Sequence, residues 1–239
     1  MLPQGILWSC LLTGVTLATG ESFTPPQRTT HAVSGWTLHV DDRLAAGHPE
    51  ATARAVSLLR GQLDEIARVV PAPALAELRK VPLYFSPAYP GFQPRAEYHP
   101  DATWLTKNGR DPAMAQAVEF TNILIFGPEA GRMPNFALHE LAHAYHHRVL
   151  RFGFGNPEIL AAHAKAKAGG RYESVARRHG IGRPETRERA YALTTPGEYF
   201  AEATEAFFSR NDYYPFTAPE LQRHDPEIHG LLVTFWGTK

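Results

Sequence analysis

Cysteine is almost missing from the 239 residues: Cys10 is the one thiol. A disulfide framework is therefore excluded, and so is any metal site or nucleophile built on sulfur in the chain beyond residue 20. An excess of charge is also lacking, with 24 basic and 24 acidic side chains. No nucleic-acid partner is indicated, since one would show as a basic excess or stripe. Apolar runs long enough to span a bilayer are lacking too. The run at 6–18 is too short to cross comfortably and breaks at once into polar residues.

That run reads as a secretory signal, with Ala18 and Gly20 as the small residues before a cut ahead of Glu21. The expected organisation is a signal peptide at 1–20, a flexible Pro/Thr-rich lead-in at 21–34, and a single domain at 35–239. A secreted or periplasmic monomer follows, with no stable membrane insertion after signal removal.

What is present is His139-Glu140-Leu141-Ala142-His143, inside an apolar-periodic segment at 134–150 whose Pro134 suits a first helical position. On a helix His139 and His143 lie one above the other, so both imidazoles can face one ion. Glu140 stands about 100° further round, beside the ion but off its ligand face, where a general base belongs. His146 and His147 continue the histidine run. Ligation by all four would close the site to water, so these two are expected to be solvated or supporting.

With no thiol available, the third ligand must be a carboxylate or another histidine. Thr195-Pro196 reads as a helix cap and first position, followed by Glu198, Glu202 and Glu205 on one side of an otherwise apolar helix. Buried carboxylates are costly unless paired or metal-bound. Glu198 could instead fold back on the Thr195 amide as a capping box, leaving Glu202 and Glu205 facing solvent. Spacing alone leaves Glu198 and Glu202 tied.

The remaining chain suggests strands at 35–40, 81–86 and 121–126. Helices are expected at 50–70, 156–168, 172–179, 219–224 and 226–236, with a turn at 41–49. The Pro- and aromatic-rich stretch up to Pro112 is too long for a mere connection, and should contain short strands or border a cleft. The 121–126 strand could accept an extended peptide by edge pairing. His39, His48 and His163 have no partner spacing. His224, Asp225 and His229 are split by Pro226 and are set aside as a second metal site.

HELAH, then 54 intervening residues, then Glu198-Tyr199-Phe200-Ala201-Glu202 resembles the gluzincin metallopeptidases. More narrowly, it is similar to the catalytic domain of anthrax lethal factor and to secreted bacterial and fungal domains like it. The resemblance implies Zn2+ held by His139, His143 and Glu198, support from Glu202 and from Glu205, and Tyr191, seven residues before Glu198, as a catalytic tyrosine. The implied function is a secreted zinc-dependent metallopeptidase that hydrolyses peptide bonds through a zinc-activated water, with Glu140 as general base. The implied fold is α+β and zincin-like, a small mixed sheet over the metal helix with a mainly helical C-terminal lobe. The partner would be a peptide or protein. Motif support covers 121–208 only, so no substrate carries over. A non-peptidase zinc hydrolase and a binding protein with a structural or vestigial zinc site stay open.

Overall fold

A computed structural model describes residues 24–238. The segment expected to be a signal, with its expected cleavage site, lies outside those residues.

Strand β1 (Arg28–Val33) pairs antiparallel with β2 (Trp36–Asp41). The chain turns between them at Ser34 and Gly35, both with positive φ (51° and 92°), the two-residue geometry that matches strand twist. The expected lead-in is therefore half strand: Thr29, Thr30 and Val33 are β-branched, and a neighbour with a hydrophobic face pairs with them. Asp41 caps α1 (Asp42–Gly47) through the Arg43 N–H, so the expected turn is a short helix. α2 (Pro49–Val69) follows and buries Ala55, Leu59, Leu63 and Ile66 at helical period. α3 (Ala72–Leu78) leads into β3 (Leu83–Phe85).

The aromatic stretch contains β4 (Ala96–His99) and α4 (Ala102–Lys107), as its length suggested. β5 (Ala117–Phe120) ends before the strand expected at 121–126. There the chain makes a 3-10 turn at Ile123–Ile125 and enters α5 (Phe126–Arg132). Pro128 lies in the first turn of α5, where a missing N–H costs nothing, and so opens a helix instead of closing a strand.

The five strands form one mixed sheet in the order β1-β2-β3-β5-β4. β2, β3 and β5 run parallel, and β1 and β4 are antiparallel edges. One face carries Leu38, Val40, Leu83, Phe85, Val118 and Phe120 into the main core with α2 and α6 (Phe136–Arg148). Leu105 and Met114 cover Tyr84 and Ala117 on the other. α6 begins later than expected, because Asn135 is its cap and Pro134 lies before it. α2 fixes that start: Asn135 Nδ2 donates to the Gln62 carbonyl at 3.1 Å, and Gln62 Oε1 accepts the Ala137 N–H at 3.1 Å.

Beyond α6 comes α7 (Pro157–Ala168), as expected. The segment at 172–179 is not helical. It contributes β6 (Val175–Arg177), paired with β7 (Thr186–Glu188), and Gly180 and Gly182 turn the hairpin at φ 97° and 76°. α8 (Pro196–Phe208) packs along α6, backed by α9 (Ala218–His224) and α10 (Pro226–Trp236). Trp236 of α10 stacks on Tyr145 at 4.0 Å and lies over Phe200, locking α6 and α8 together. The architecture is α+β, a small mixed sheet with a helical C-terminal half. No helix among the described residues is long and apolar enough to cross a membrane.

Candidate metal centre

α6 presents His139 and His143 one turn apart, and α8 brings Glu198 to them. Thr195 Oγ1 accepts the Glu198 N–H at 3.1 Å, which starts α8 as its cap. Glu198 does not fold back to complete a capping box. Its Oε2 lies 3.0 Å from His139 Nε2 and 3.3 Å from His143 Nε2, and the two Nε2 atoms are 3.2 Å apart. Three ligand atoms about 2.0–2.1 Å from one tetrahedral ion would be about 3.3 Å from each other, so this donor set fits zinc. The two imidazole nitrogens face each other across a gap that one proton or one cation must fill.

His139 is 5% exposed, and burial alone would lower its pKa. Hydrogen bonds to Glu198 and Glu205 outweigh burial and carry it well above the usual imidazole value. Burial likewise favours the neutral form of Glu198, yet bonds to His139 and His143 hold it well below the usual carboxylate range. The donors thus want positive charge among them.

The glutamates further along α8 are both buried, neither facing solvent. Glu205 Oε1 lies 2.7 Å from His139 Nδ1, so Nδ1 keeps its proton towards Glu205 and Nε2 is the nitrogen left to meet a metal. Glu202 was expected to be the main support, but its nearest oxygen is 3.9 Å from Nδ1 and its other oxygen takes Asn211 Nδ2 at 2.9 Å. Helix geometry explains the reversal. Seven residues return to within about 20° of Glu198, whereas four miss by about 40°. Burial and then the charge of Glu205 raise Glu202 well above its usual pKa, while burial lifts Glu205 to about 7 against the pull of His139.

His146 and His147 stay out of the centre. His146 is fully buried between Phe154 and Phe200, not solvated, and burial drives it down to about 4. His147 stacks on Phe154, and its Nδ1 is 2.9 Å from the Tyr98 hydroxyl.

The centre lies in a cleft of about 470 Å³ lined by Glu140, Tyr191, Arg95 and the start of β4, and also by Arg132, Arg177 and Tyr213. Tyr191 is half exposed and donates to Glu198 Oε1 at 3.3 Å. Burial, then the Glu198 charge, pushes its hydroxyl up to about 12. Glu140 Oε2 accepts the Tyr98 N–H at 2.8 Å. The strand bordering the cleft is thus β4, not the segment at 121–126. Sequence reasoning missed Arg95, Arg132, Arg177 and Tyr213. They carry no local pattern, and the fold alone collects them.

Glu97, His99 and Glu119 also converge closely enough to suggest a cation. That cation is Arg110, whose Nη1 lies 2.7 Å from Glu97 and 3.0 Å from Glu119. Its guanidinium is enclosed by Tyr89, Trp104 and Phe92 at 4.4, 4.8 and 4.9 Å. This cluster braces β4 from behind.

No family model matches the chain, and no curated protein matches it. Among solved structures it is similar to the Pro-Pro endopeptidase PPEP-2 from Paenibacillus alvei, at 19% identity and a TM-score of 0.44. That likeness covers 76% of this chain and 89% of the other.

Proposed function

We propose that this chain is a zinc-dependent peptidase of the gluzincin type. The observation that carries the reading is the meeting of His139, His143 and Glu198 within 3.3 Å, in a cleft that also holds Glu140 and Tyr191. The spacing that resembles the lethal-factor-like domains brings in the same five residues.

Zinc bound there would supply a Lewis acid and an activated water. Glu140 would take a proton from the attacking water and return it to the leaving amine. Its contact with the Tyr98 amide holds it against the edge strand until a substrate enters. Tyr191 stays protonated at neutral pH because its pKa lies near 12, so it can donate to an oxyanion forming beside Glu198. Glu205 keeps the proton of His139 on Nδ1.

β4 supplies a template for an extended peptide. The Arg95 and His99 carbonyls are taken by Thr121 and Gln116, so the main-chain groups of Ala96 point the other way, along with those of Tyr98. Ala96 can give both its N–H and its C=O to a peptide.

Zinc content and peptide-library cleavage, measured on the native chain and on Glu140→Ala, test this reading. Zinc in both with cleavage in the native chain alone is expected. Zinc in both with hydrolysis of esters or small amides, and of no peptide, would overturn it.

A further inference from the structure

Three arginines line the cleft, and they differ in what occupies them. Arg132 bonds Asp212 at 2.7 Å and Glu129 at 2.8 Å, and Arg177 bonds Glu188 at 2.9 Å and Asp212 at 3.4 Å. Both side chains are 25% exposed. Arg95 is 54% exposed and has one acidic partner, Glu97, at 2.6 Å. Glu97 gives its other oxygen to the caged Arg110, so its charge is divided between two guanidiniums.

The mount of Arg95 is rigid. Its N–H donates to Thr121 Oγ1 at 2.9 Å, and its carbonyl accepts the Thr121 N–H at 2.9 Å. The side chain lines the same cleft as Glu140, Tyr191 and Glu198. It also directly precedes Ala96, whose outward main chain is free to pair with a peptide. A guanidinium with spare N–H groups, on a fixed strand, is shaped for a carboxylate.

We propose that Arg95 is a specificity residue that binds a carboxylate of the peptide substrate where it passes the start of β4. This rests on the peptidase reading of the same cleft. The carboxylate belongs either to an Asp or Glu side chain close to the cleaved bond or to the substrate's C-terminus, and the two are separable.

The test uses zinc-loaded Glu140→Gln chain, which cannot turn over under the mechanism above, and fluorescent peptides read by anisotropy. Peptides are paired as Glu against Gln at each position, and as free acid against C-terminal amide. The acid member of one pair should bind about tenfold tighter, the scale of one well-placed charge pair. Adding Arg95→Gln should bring that ratio to about one, whereas Arg95→Lys should keep part of it. The ratio is taken within each protein, so a smaller folded fraction does not imitate the effect. An internal Glu pair that responds identifies a side chain, and the acid–amide pair identifies the terminus. Equal binding within every pair, or a ratio that survives Arg95→Gln, overturns the inference. Cleavage of the same peptides by the native chain separates the two readings. Arg95-dependent acid selection without cleavage overturns the peptidase reading alone, and cleavage without acid selection overturns the Arg95 inference alone.

Discussion

Glu205 Oε1 sits 2.7 Å from His139 Nδ1, two turns along α8 from Glu198, which meets the other nitrogen of the same ring. One helix therefore grips both ends of one imidazole. Glu205→Gln should lower zinc affinity by about 10–100-fold, the usual loss for the hydrogen-bond partner of a ligating histidine. Glu202→Gln should cost clearly less, because Glu202 reaches Asn211 in preference to the ring. Competition with a chromophoric chelator measures both, and a larger loss for Glu202→Gln would contradict the assignment.

Tyr191→Phe should retain zinc while kcat on a good peptide falls by about 10²–10³, the loss expected for one oxyanion donor. Its hydroxyl titrates near 12, so no limb of the pH–rate profile near neutrality should belong to it. Unchanged kcat in the variant would remove Tyr191 from the mechanism.

Arg110 is 1% exposed and balances two glutamates inside a ring of aromatics. Arg110→Met should destabilise the fold by about 3–5 kcal/mol, because it strands buried negative charge at Glu119. Chemical denaturation reads this directly. A loss below about 1 kcal/mol, within the range of surface ion pairs, would mean that the cage is not structural.

His146 gives the fold an acid sensitivity with a defined sign. Burial lowers it from 6.5 to about 4, so between those values the unfolded chain binds the proton and the folded chain does not. Its contribution is fully present above about 6.5, is lost as pH falls towards 4, and changes no further below that. The total is roughly 3 kcal/mol. His146→Leu should flatten the acid limb of a stability–pH curve, and an unaltered slope would show that His146 is protonated in place.

The centre was legible in the sequence because it is built from helical repeats. His139 and His143 share a face, and Thr195 and Pro196 announce α8, but spacing left Glu198 and Glu202 tied and the resemblance alone chose Glu198. Glu205 was legible in principle from its seven-residue offset, but the resemblance put the second glutamate of the Glu198–Glu202 stretch in that role. The walls of the cleft were not legible. β4 is four residues long, Ala-Glu-Tyr-His, too short for its alternation to stand out, and its strand character comes from pairing with β5. Ile123–Ile125 is apolar enough for a strand, yet Phe126 and Pro128 open a helix there. Arg95, Arg132 and Arg177 come from three distant segments that only the fold brings to one cavity.

X-ray absorption of the purified native chain reads the ligands of the zinc at this centre. About one zinc per chain is expected, bound by two imidazole nitrogens and one carboxylate oxygen, with a fourth light atom that is not a side chain. Glu198→Ala should change that spectrum, and His146→Leu should not. A zinc held by three or four imidazoles, or a spectrum indifferent to loss of Glu198, would contradict that ligand set.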